Sequence, residues 1–210
     1  LRANKSISLQ IFMSGLENKI LKRAKLLETN ARLIETKIKD ISKLVSSVIK
    51  KNGKLMFCGN GGSAAECQHM SAEYCATLDH KRPRPGIASI SLTTDSSFLT
   101  AWTNDFGYED IFSRQVQTLG KKGDLLFCYS TSGNSENVIN AAKIAKRKKI
   151  IVIGFTGNHR VTKLEKYCDE VFKSPSKETP IIQEFHSLVG HEICFEVENK
   201  LFFKTKWNIN

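Results

Sequence analysis

Short, continuously apolar runs alternate with helix-like stretches through most of the chain, and this alternation limits the possible folds more than any other feature. The runs lie at 55–58, 87–92, 124–130 and 150–155, with a weaker one at 169–173. A strand that is apolar on both faces belongs to a sheet that is covered on both sides. Strands that alternate with helices form right-handed crossovers and a parallel sheet. We therefore predict an α/β fold, a three-layer αβα sandwich with a five-stranded parallel sheet.

The start of the chain lacks such runs and has helical periodicity instead. Apolar residues recur there at three- and four-residue steps, on both sides of Thr29-Asn30, where we predict a break between two helices. We expect these N-terminal helices to precede the sheet and to pack against another subunit as well as their own domain. The predicted division is a helical segment of the same domain at 1–50, the α/β unit at 51–203 and a C-terminal tail at 204–210.

The composition fits a chain of one domain. Its 210 residues are enough for one sizeable core. No apolar run approaches the roughly 20 residues that span a bilayer, so we expect no membrane partner. The six cysteines contain no CxxC pair and several lie in apolar patterns, which is typical of reduced, buried thiols. These features together predict a cytoplasmic protein.

The formal net charge of +11 allows three interpretations: nucleic-acid binding, an anionic substrate, or solubility alone. The densest basic cluster, 146–149, directly precedes an apolar run. We therefore place it at a helix C-terminus, where cations are favourable. No groove pattern of aromatic and basic residues accompanies the lysines, so we predict no nucleic-acid partner.

Two serine- and glycine-rich turns, GNGGS at 59–63 and STSGNS at 130–135, each follow a predicted strand. Parallel sheets bind ligands at the carboxyl ends of their strands. Glycines let the backbone approach a ligand, and helix N-termini and hydroxyls hold anions without buried cations. The alternative is a pair of ordinary turns with Ser63 and Ser135 as helix N-caps. Because neither turn is a Walker A or GxGxxG motif, we predict a phosphorylated ligand other than a nucleotide.

Polar residues near these turns are candidates for metal binding or acid/base catalysis. His69 and Glu73 are four residues apart and share one face of a predicted helix. This spacing suits a divalent metal or an acid/base pair, and it also occurs in solvated pairs. Two further clusters are Gln183, His186 and His191 in the last predicted helix, and Asn104-Asp105. For the latter, the alternative is a turn signal with Asp105 as a helix cap.

Four stretches carry a specific resemblance. They are CGNGGSAAECQHMSAE at 58–73, TNDFGYEDIFSRQV at 103–116, STSGNSENVI at 130–139 and TPIIQEFHSLVGHEI at 179–193. In content and order they resemble the phosphoheptose isomerases, a branch of the sugar-isomerase (SIS) fold. The resemblance implies that sedoheptulose 7-phosphate is converted to D-glycero-D-manno-heptose 7-phosphate by enediol-type aldose–ketose chemistry. This step feeds the heptoses of bacterial surface glycans, lipopolysaccharide or capsule.

The resemblance also implies a homotetramer with active sites at subunit contacts and one zinc ion per subunit. The implied acid/base pair is Glu73 and His191. The implied zinc ligands are His69, Glu73, Gln183 and His191. The implied substrate contacts are Asn60, Gly61, Gly62, Ser63, Glu73, Asn104, Asp105, Ser130, Thr131, Ser132, Ser135 and Gln183. We expect STSGNS to bind the phosphate and GNGGS to line the sugar chain.

Two details conflict with a simple transfer of these roles. Gln183 and His191 are eight residues apart, about 12 Å along a regular helix. Either Gln183 precedes the regular helix or two subunits share the site, and His186 is the rival ligand. In addition, Ile181 stands where the family commonly has a basic residue, so a charge near the substrate or a subunit contact is lost.

Two other classes of function compete with the isomerase. Some relatives with the SIS fold are non-catalytic tetramers that bind the bacterial replication initiator and lack the acid/base pair. Others are different phosphosugar isomerases, such as arabinose 5-phosphate isomerase. The presence of Glu73 and His191 favours the enzyme over the first class. The pairs His69/Glu73 and Gln183/His191 argue against the second.

Overall fold

The computed structural model describes the backbone of residues 3–203 and the side chains from residue 15 onward. The predicted C-terminal tail, 204–210, lies outside the described residues. One five-stranded sheet has the order β2-β1-β3-β4-β5, and all neighbouring strands are parallel. Its strands are β1 (Leu55–Gly59), β2 (Ser89–Ser91), β3 (Leu125–Tyr129), β4 (Ile151–Thr156) and β5 (Glu170–Lys173). The predicted parallel sheet is therefore confirmed.

Helices precede and connect these strands. They are α1 (Ala3–Lys50), α2 (Gly62–Cys75), α3 (Ser96–Phe106), α4 (Ile111–Leu119), α5 (Glu136–Arg147) and α6 (Thr179–Leu201). Short 3-10 helices occupy Tyr108–Asp110 and Leu164–Tyr167. In the part of the chain that is described, no helix is long and apolar enough to cross a membrane.

The strands are apolar throughout because each face of the sheet has its own core. On β1, Leu55 and Phe57 belong to a cluster with residues of α1, α2 and α6. The alternate residues Met56 and Cys58 belong to a second cluster with residues of α4 and α5. Side chains of a strand point alternately to its two faces, so this division follows from the period of two. The two clusters confirm the three-layer αβα arrangement.

One continuous helix replaces the two predicted N-terminal helices. The predicted break at Thr29-Asn30 is wrong, because α1 runs through it. Thr29 Oγ1 donates to the carbonyl of Lys25 at 2.7 Å, and Asn30 Nδ2 donates to the carbonyl of Leu26 at 2.8 Å. Because these side chains donate their hydrogen bonds to carbonyls of the same helix, both residues are compatible with its interior and do not end it.

The basic cluster at 146–149 lies at the end of α5, as predicted. Lys148 is the C-terminal cap, and Lys149 follows with a φ of 58°. Lys146 forms an ion pair with Asp169, and Lys148 Nζ donates to the carbonyl of Gln117. The cluster therefore caps the C-terminal end of α5 and binds residues of neighbouring segments.

Candidate active site

The GNGGS and STSGNS loops leave neighbouring strands at the same level of the sheet. Gly59, the last residue of β1, pairs with Tyr129, the last residue of β3. Asn60 Nδ2 donates to Asn137 Oδ1, and Asn137 Nδ2 donates to Asn60 Oδ1, each at 2.9 Å. This reciprocal amide pair links the GNGGS loop to the first turn of α5, the helix that follows the STSGNS loop.

The GNGGS loop turns directly into α2. Gly61 has a φ of +56°, a backbone conformation that favours glycine. Ser63 is buried and lies inside α2, so its alternative role as N-cap is wrong. Gly62 packs closely on Gln183, because a Cβ at Gly62 would lie 2.6 Å from Gln183 Nε2. The loop thus exposes its backbone at Gly61 and Gly62.

The STSGNS loop offers hydroxyl groups ahead of a helix N-terminus. The hydroxyls of Ser130 and Ser135 are 3.0 Å apart. Ser135 stands at the N-cap position of α5, but its side chain makes no capping hydrogen bond, so the cap alternative is wrong for its hydroxyl. Ser132 Oγ accepts from the N–H of Asn134 at 3.1 Å, and Thr131 lies between these serines. The first N–H groups of a helix lack partners inside it, so this loop can bind a phosphate.

The segment after β4 supports the STSGNS loop from behind. The N–H of Gly157 donates to the carbonyl of Thr131, and the N–H of Leu164 donates to the carbonyl of Gly133, both at 3.0 Å. Gly133 has a φ of +64°, and a Cβ there would lie 2.4 Å from the Cβ of Thr162. Both the conformation and the space at Gly133 therefore require glycine.

We expect Gly133→Ala to lower the free energy of unfolding by about 1–3 kcal/mol, because alanine is strained at positive φ. We also expect a higher KM for a phosphorylated substrate, because the loop must move away from Thr162. Gly123→Ala is the matched control, since Gly123 has a φ of +93° with open space around it. Denaturant titrations and initial rates measure the two effects. An unchanged KM in Gly133→Ala would contradict the assignment of this loop.

A cluster of three titratable side chains lies between α2 and α6. His69 Nε2 is 2.7 Å from His191 Nε2, and the two rings meet edge to face. Glu73 Oε1 is 3.9 Å from His69 Nε2. One ligand atom from each residue lies within 4.8 Å of the others. The structure therefore brings together the predicted acid/base pair and three of the four predicted zinc ligands.

Gln183 is separated from this cluster along α6. It lies inside α6, so the suggestion that it precedes the regular helix is wrong. Its side chain faces Gly62, two turns before His191. Ile181, at the start of the same helix, is buried in the core. An apolar residue at position 181 therefore has a packing role in this chain, because Ile181 fills a core position where a charge would be buried.

His186 is a core residue, and its role as rival ligand is wrong. Its side chain is buried, and its Nε2 is 3.2 Å from the carbonyl oxygen of Thr156. Aromatic rings of Tyr129, Phe155 and Phe172 surround it. Burial lowers the pKa of His186 to about 4, and the hydrogen bond to Thr156 opposes this shift only in part.

This low pKa predicts a pH-dependent stability. Between pH 6.5 and 4 the unfolded chain protonates His186 while the folded chain keeps it neutral, so acid favours unfolding. From pH 7 to pH 5 the wild type should lose about 2 kcal/mol more than His186→Gln, which keeps a donor but does not titrate. Urea titrations at both pH values measure this difference. Equal losses in the two proteins would contradict the prediction.

Glu66 lies beside the cluster of His69, Glu73 and His191, and the sequence interpretation did not include it. It lies three residues before His69 and seven before Glu73, on the same face of α2. Its Oε1 lies 3.5 Å from the Cβ that a residue at Gly190 would carry, beside His191. Burial raises the pKa of Glu66, and His69 partly offsets this rise. The i, i+3, i+7 pattern on α2 was the signal that could have identified it.

Asn104 and Asp105 lie in the last turn of α3 and are exposed. Asn104 Nδ2 donates to Asp105 Oδ1 at 2.8 Å. The cap alternative for Asp105 is wrong, because Asp105 lies inside α3 and the helices that follow have Gly107 and Asp110 as their N-caps. Just beyond, the hydroxyl of Tyr108 donates to Asn60 Oδ1 at 2.8 Å, a contact that the sequence interpretation also missed. Tyr108 thus joins this segment to the GNGGS loop.

Comparisons with known proteins identify the family of this chain. Residues 21–157 match the sequence profile of the SIS domain. The phosphoheptose isomerase of Burkholderia pseudomallei is 46% identical over 173 residues, 82% of this chain and 86% of the relative. That of Maridesulfovibrio salexigens is 48% identical over 163 residues, 78% of each protein. The solved structure of phosphoheptose isomerase from Neisseria gonorrhoeae, 33% identical, gives a TM-score of 0.82 and covers 90% of this chain and 99% of that one. The chain therefore belongs to the SIS domain family and, within it, to the phosphoheptose isomerases.

Proposed function

We propose that this protein is the isomerase that converts sedoheptulose 7-phosphate to D-glycero-D-manno-heptose 7-phosphate. The observation that carries the proposal is the cluster of His69, Glu73 and His191, whose ligand atoms lie within 4.8 Å of one another, in a chain that is 46–48% identical to phosphoheptose isomerases. The product is a precursor for the heptoses of bacterial surface glycans, in lipopolysaccharide or capsule.

The chemistry needs two proton-transfer groups. A base removes a proton from the carbon beside the carbonyl, and an acid protonates the carbonyl oxygen. Glu73 is the base, and its side chain is about one-fifth exposed, so the proton that it takes from carbon 1 can exchange with solvent before Glu73 returns a proton to carbon 2. The hydroxyl on carbon 1 then loses its proton as the new carbonyl forms. His191 is the acid, and it lies in the same cluster as Glu73, with their ligand atoms within 4.8 Å of each other.

The two loops divide the binding of the substrate. The hydroxyls of STSGNS and the N-terminus of α5 bind the phosphate. The exposed backbone at Gly61 and Gly62 lines the sugar chain. Asn60 contributes through its backbone, because its side-chain oxygen already accepts hydrogen bonds from Asn137 and Tyr108.

The donor set of His69, Glu73 and His191 fits a divalent metal. Two imidazole nitrogens and a carboxylate oxygen are ligands that zinc commonly takes, and here they converge within 4.8 Å. We propose zinc, one ion per subunit, with Gln183 as fourth ligand through an extended side chain or from a second copy of the chain. When bound, the ion would polarise the carbonyl and stabilise negative charge on the substrate oxygens.

A homotetramer with active sites at subunit contacts completes the proposal. Support comes from large apolar side chains that α1 exposes, namely Leu16, Ile20, Leu21 and Leu33. Asn104 and Asp105 are also exposed, and a neighbouring subunit that covers them would bring them to a site.

The same structure supports the proposed domain division and location. The C-terminal part of α1, with Ile41 and Val45, is buried in the core, which supports a segment 1–50 that belongs to the same domain as 51–203. All six cysteines are free thiols, which supports a cytoplasmic location.

A substrate panel tests the proposed function. Purified protein with and without added zinc is given sedoheptulose 7-phosphate, arabinose 5-phosphate or ribulose 5-phosphate, and the aldose–ketose products are measured. We expect turnover of the heptulose phosphate and much slower turnover of the pentose phosphates. Turnover of a pentose phosphate alone would assign a different isomerase. No turnover, together with capture of a replication initiator protein, would assign the non-catalytic class.

A further inference from the structure

The C-terminal end of α2 is capped by a side chain from the loop that follows it. Arg84 Nη2 donates to the carbonyl of Glu73 at 2.9 Å, and Arg84 Nη1 donates to the carbonyl of Tyr74 at 2.8 Å. The last carbonyls of a helix have no partner within it, and they favour a cation nearby. Arg84 therefore holds the helical turn in which Glu73 lies.

The same guanidinium is anchored to α6. Arg84 Nε donates to Glu198 Oε1 at 2.8 Å, and the side chains of this pair are 0% and 1% exposed. The N–H of Leu78 donates to the same carboxylate oxygen at 3.0 Å. A buried charge pair of this kind is strongly disrupted when only one partner is removed.

Glu198 follows His191 by seven residues, so both lie on about the same face of α6. The pair thus joins the turn that carries Glu73 to the helix face that carries His191. We infer that Arg84, anchored by Glu198, is a positioning residue that sets the distance between Glu73 and His191. This inference rests on the proposed function, in which these two residues transfer protons.

Only arginine suits this position. Its planar fork donates to two carbonyls and a carboxylate at once, whereas the ammonium of lysine is a single point on a flexible stem. A lysine at 84 keeps the positive charge beside Glu198 but cannot hold both carbonyls of α2 in the same way. Misplacement of a catalytic group by about 1 Å can lower a rate by about 10²-fold.

The test compares Arg84→Lys with Arg82→Lys. Arg82 lies in the same loop and also reaches α6, where it donates to Asn199 and lies over the ring of Phe203, but it makes no hydrogen bond to Glu73. We expect Arg84→Lys to lower kcat for sedoheptulose 7-phosphate by at least about tenfold, with KM changed less than about threefold. Arg82→Lys should keep both constants near those of the wild type.

Hydrogen exchange supplies a readout that does not depend on activity. We expect the amides of residues 72–76, at the end of α2, to exchange faster in Arg84→Lys than in Arg82→Lys. If Arg84→Lys does not fold, the double variant Arg84→Met/Glu198→Met is used instead in the same two measurements. It removes both buried charges together.

The outcomes separate this inference from the proposed function. An inactive wild type would overturn the proposed function, and the exchange rates at 72–76 would still decide the role of Arg84. Unchanged exchange there would overturn the inference. A wild-type kcat in Arg84→Lys would also overturn the inference. The same holds if the loss of activity in Arg84→Lys is no larger than its fraction of unfolded protein.

Discussion

Glu73→Gln is expected to lower isomerase turnover by about 10²–10⁴-fold, the usual contribution of a general base. Glutamine has nearly the shape of glutamate but cannot accept the proton that leaves the substrate carbon. The backbone of Glu73 is held by Arg84 through its carbonyl, a contact that the substitution does not touch. The variant should therefore keep its fold, which circular dichroism and a thermal unfolding curve can check.

Glu192→Gln is a charge-matched control for this variant. Glu192 is exposed and adjacent in sequence to His191, but it is not part of the three-residue cluster. It should retain near wild-type turnover, since it only removes one negative charge from the surface. Wild-type turnover in Glu73→Gln would remove Glu73 from the catalytic role.

Removal of bound metal is expected to have the second large effect. If zinc polarises the carbonyl, its loss should cost several kcal/mol of barrier, or at least about 10²-fold in rate. Chelator-treated protein should be nearly inactive, and stoichiometric zinc should restore turnover. Elemental analysis before and after treatment should give about one zinc per chain and then almost none.

The His69→Gln variant controls for damage by the chelator. It removes one imidazole of the cluster without any chelator, so it should show weakened zinc binding in a competition assay with a coloured indicator. Full activity in protein that elemental analysis shows to be metal-free would rule out a catalytic metal. Wild-type zinc affinity in His69→Gln would remove His69 from the ligand set.

The fold was predictable because its signal is local. Each strand is a continuous apolar run, and such runs occur where both faces of a sheet are covered. Here the cluster that contains Leu55 covers one face and the cluster that contains Met56 covers the other. The break predicted at Thr29-Asn30 was wrong for an equally local reason. Threonine and asparagine side chains donate hydrogen bonds to the carbonyl four residues earlier in a helix as readily as they cap a helix end. The sequence alone does not distinguish these two roles.

The site was predictable only in part. The adjacency of the two loops follows from parallel strands, and the shared face of His69 and Glu73 follows from helical periodicity. The approach of His191, 122 residues away from His69, requires the packing of α2 on α6. Contacts of Tyr108 with Asn60 and of Arg84 with Glu198 arise in the same way, so no local pattern in the chain marks them.

The central claim is that this chain moves a proton between carbons 1 and 2 of a phosphorylated heptulose. The most direct test is to incubate the zinc-loaded protein with sedoheptulose 7-phosphate in D₂O and follow the sugar by NMR. The account predicts an aldose 7-phosphate that carries solvent deuterium at carbon 2, because a partly exposed carboxylate exchanges its proton with water. Unchanged ketose from folded, zinc-loaded protein would contradict this claim, and an aldose without any deuterium would contradict the exchange of the proton at Glu73.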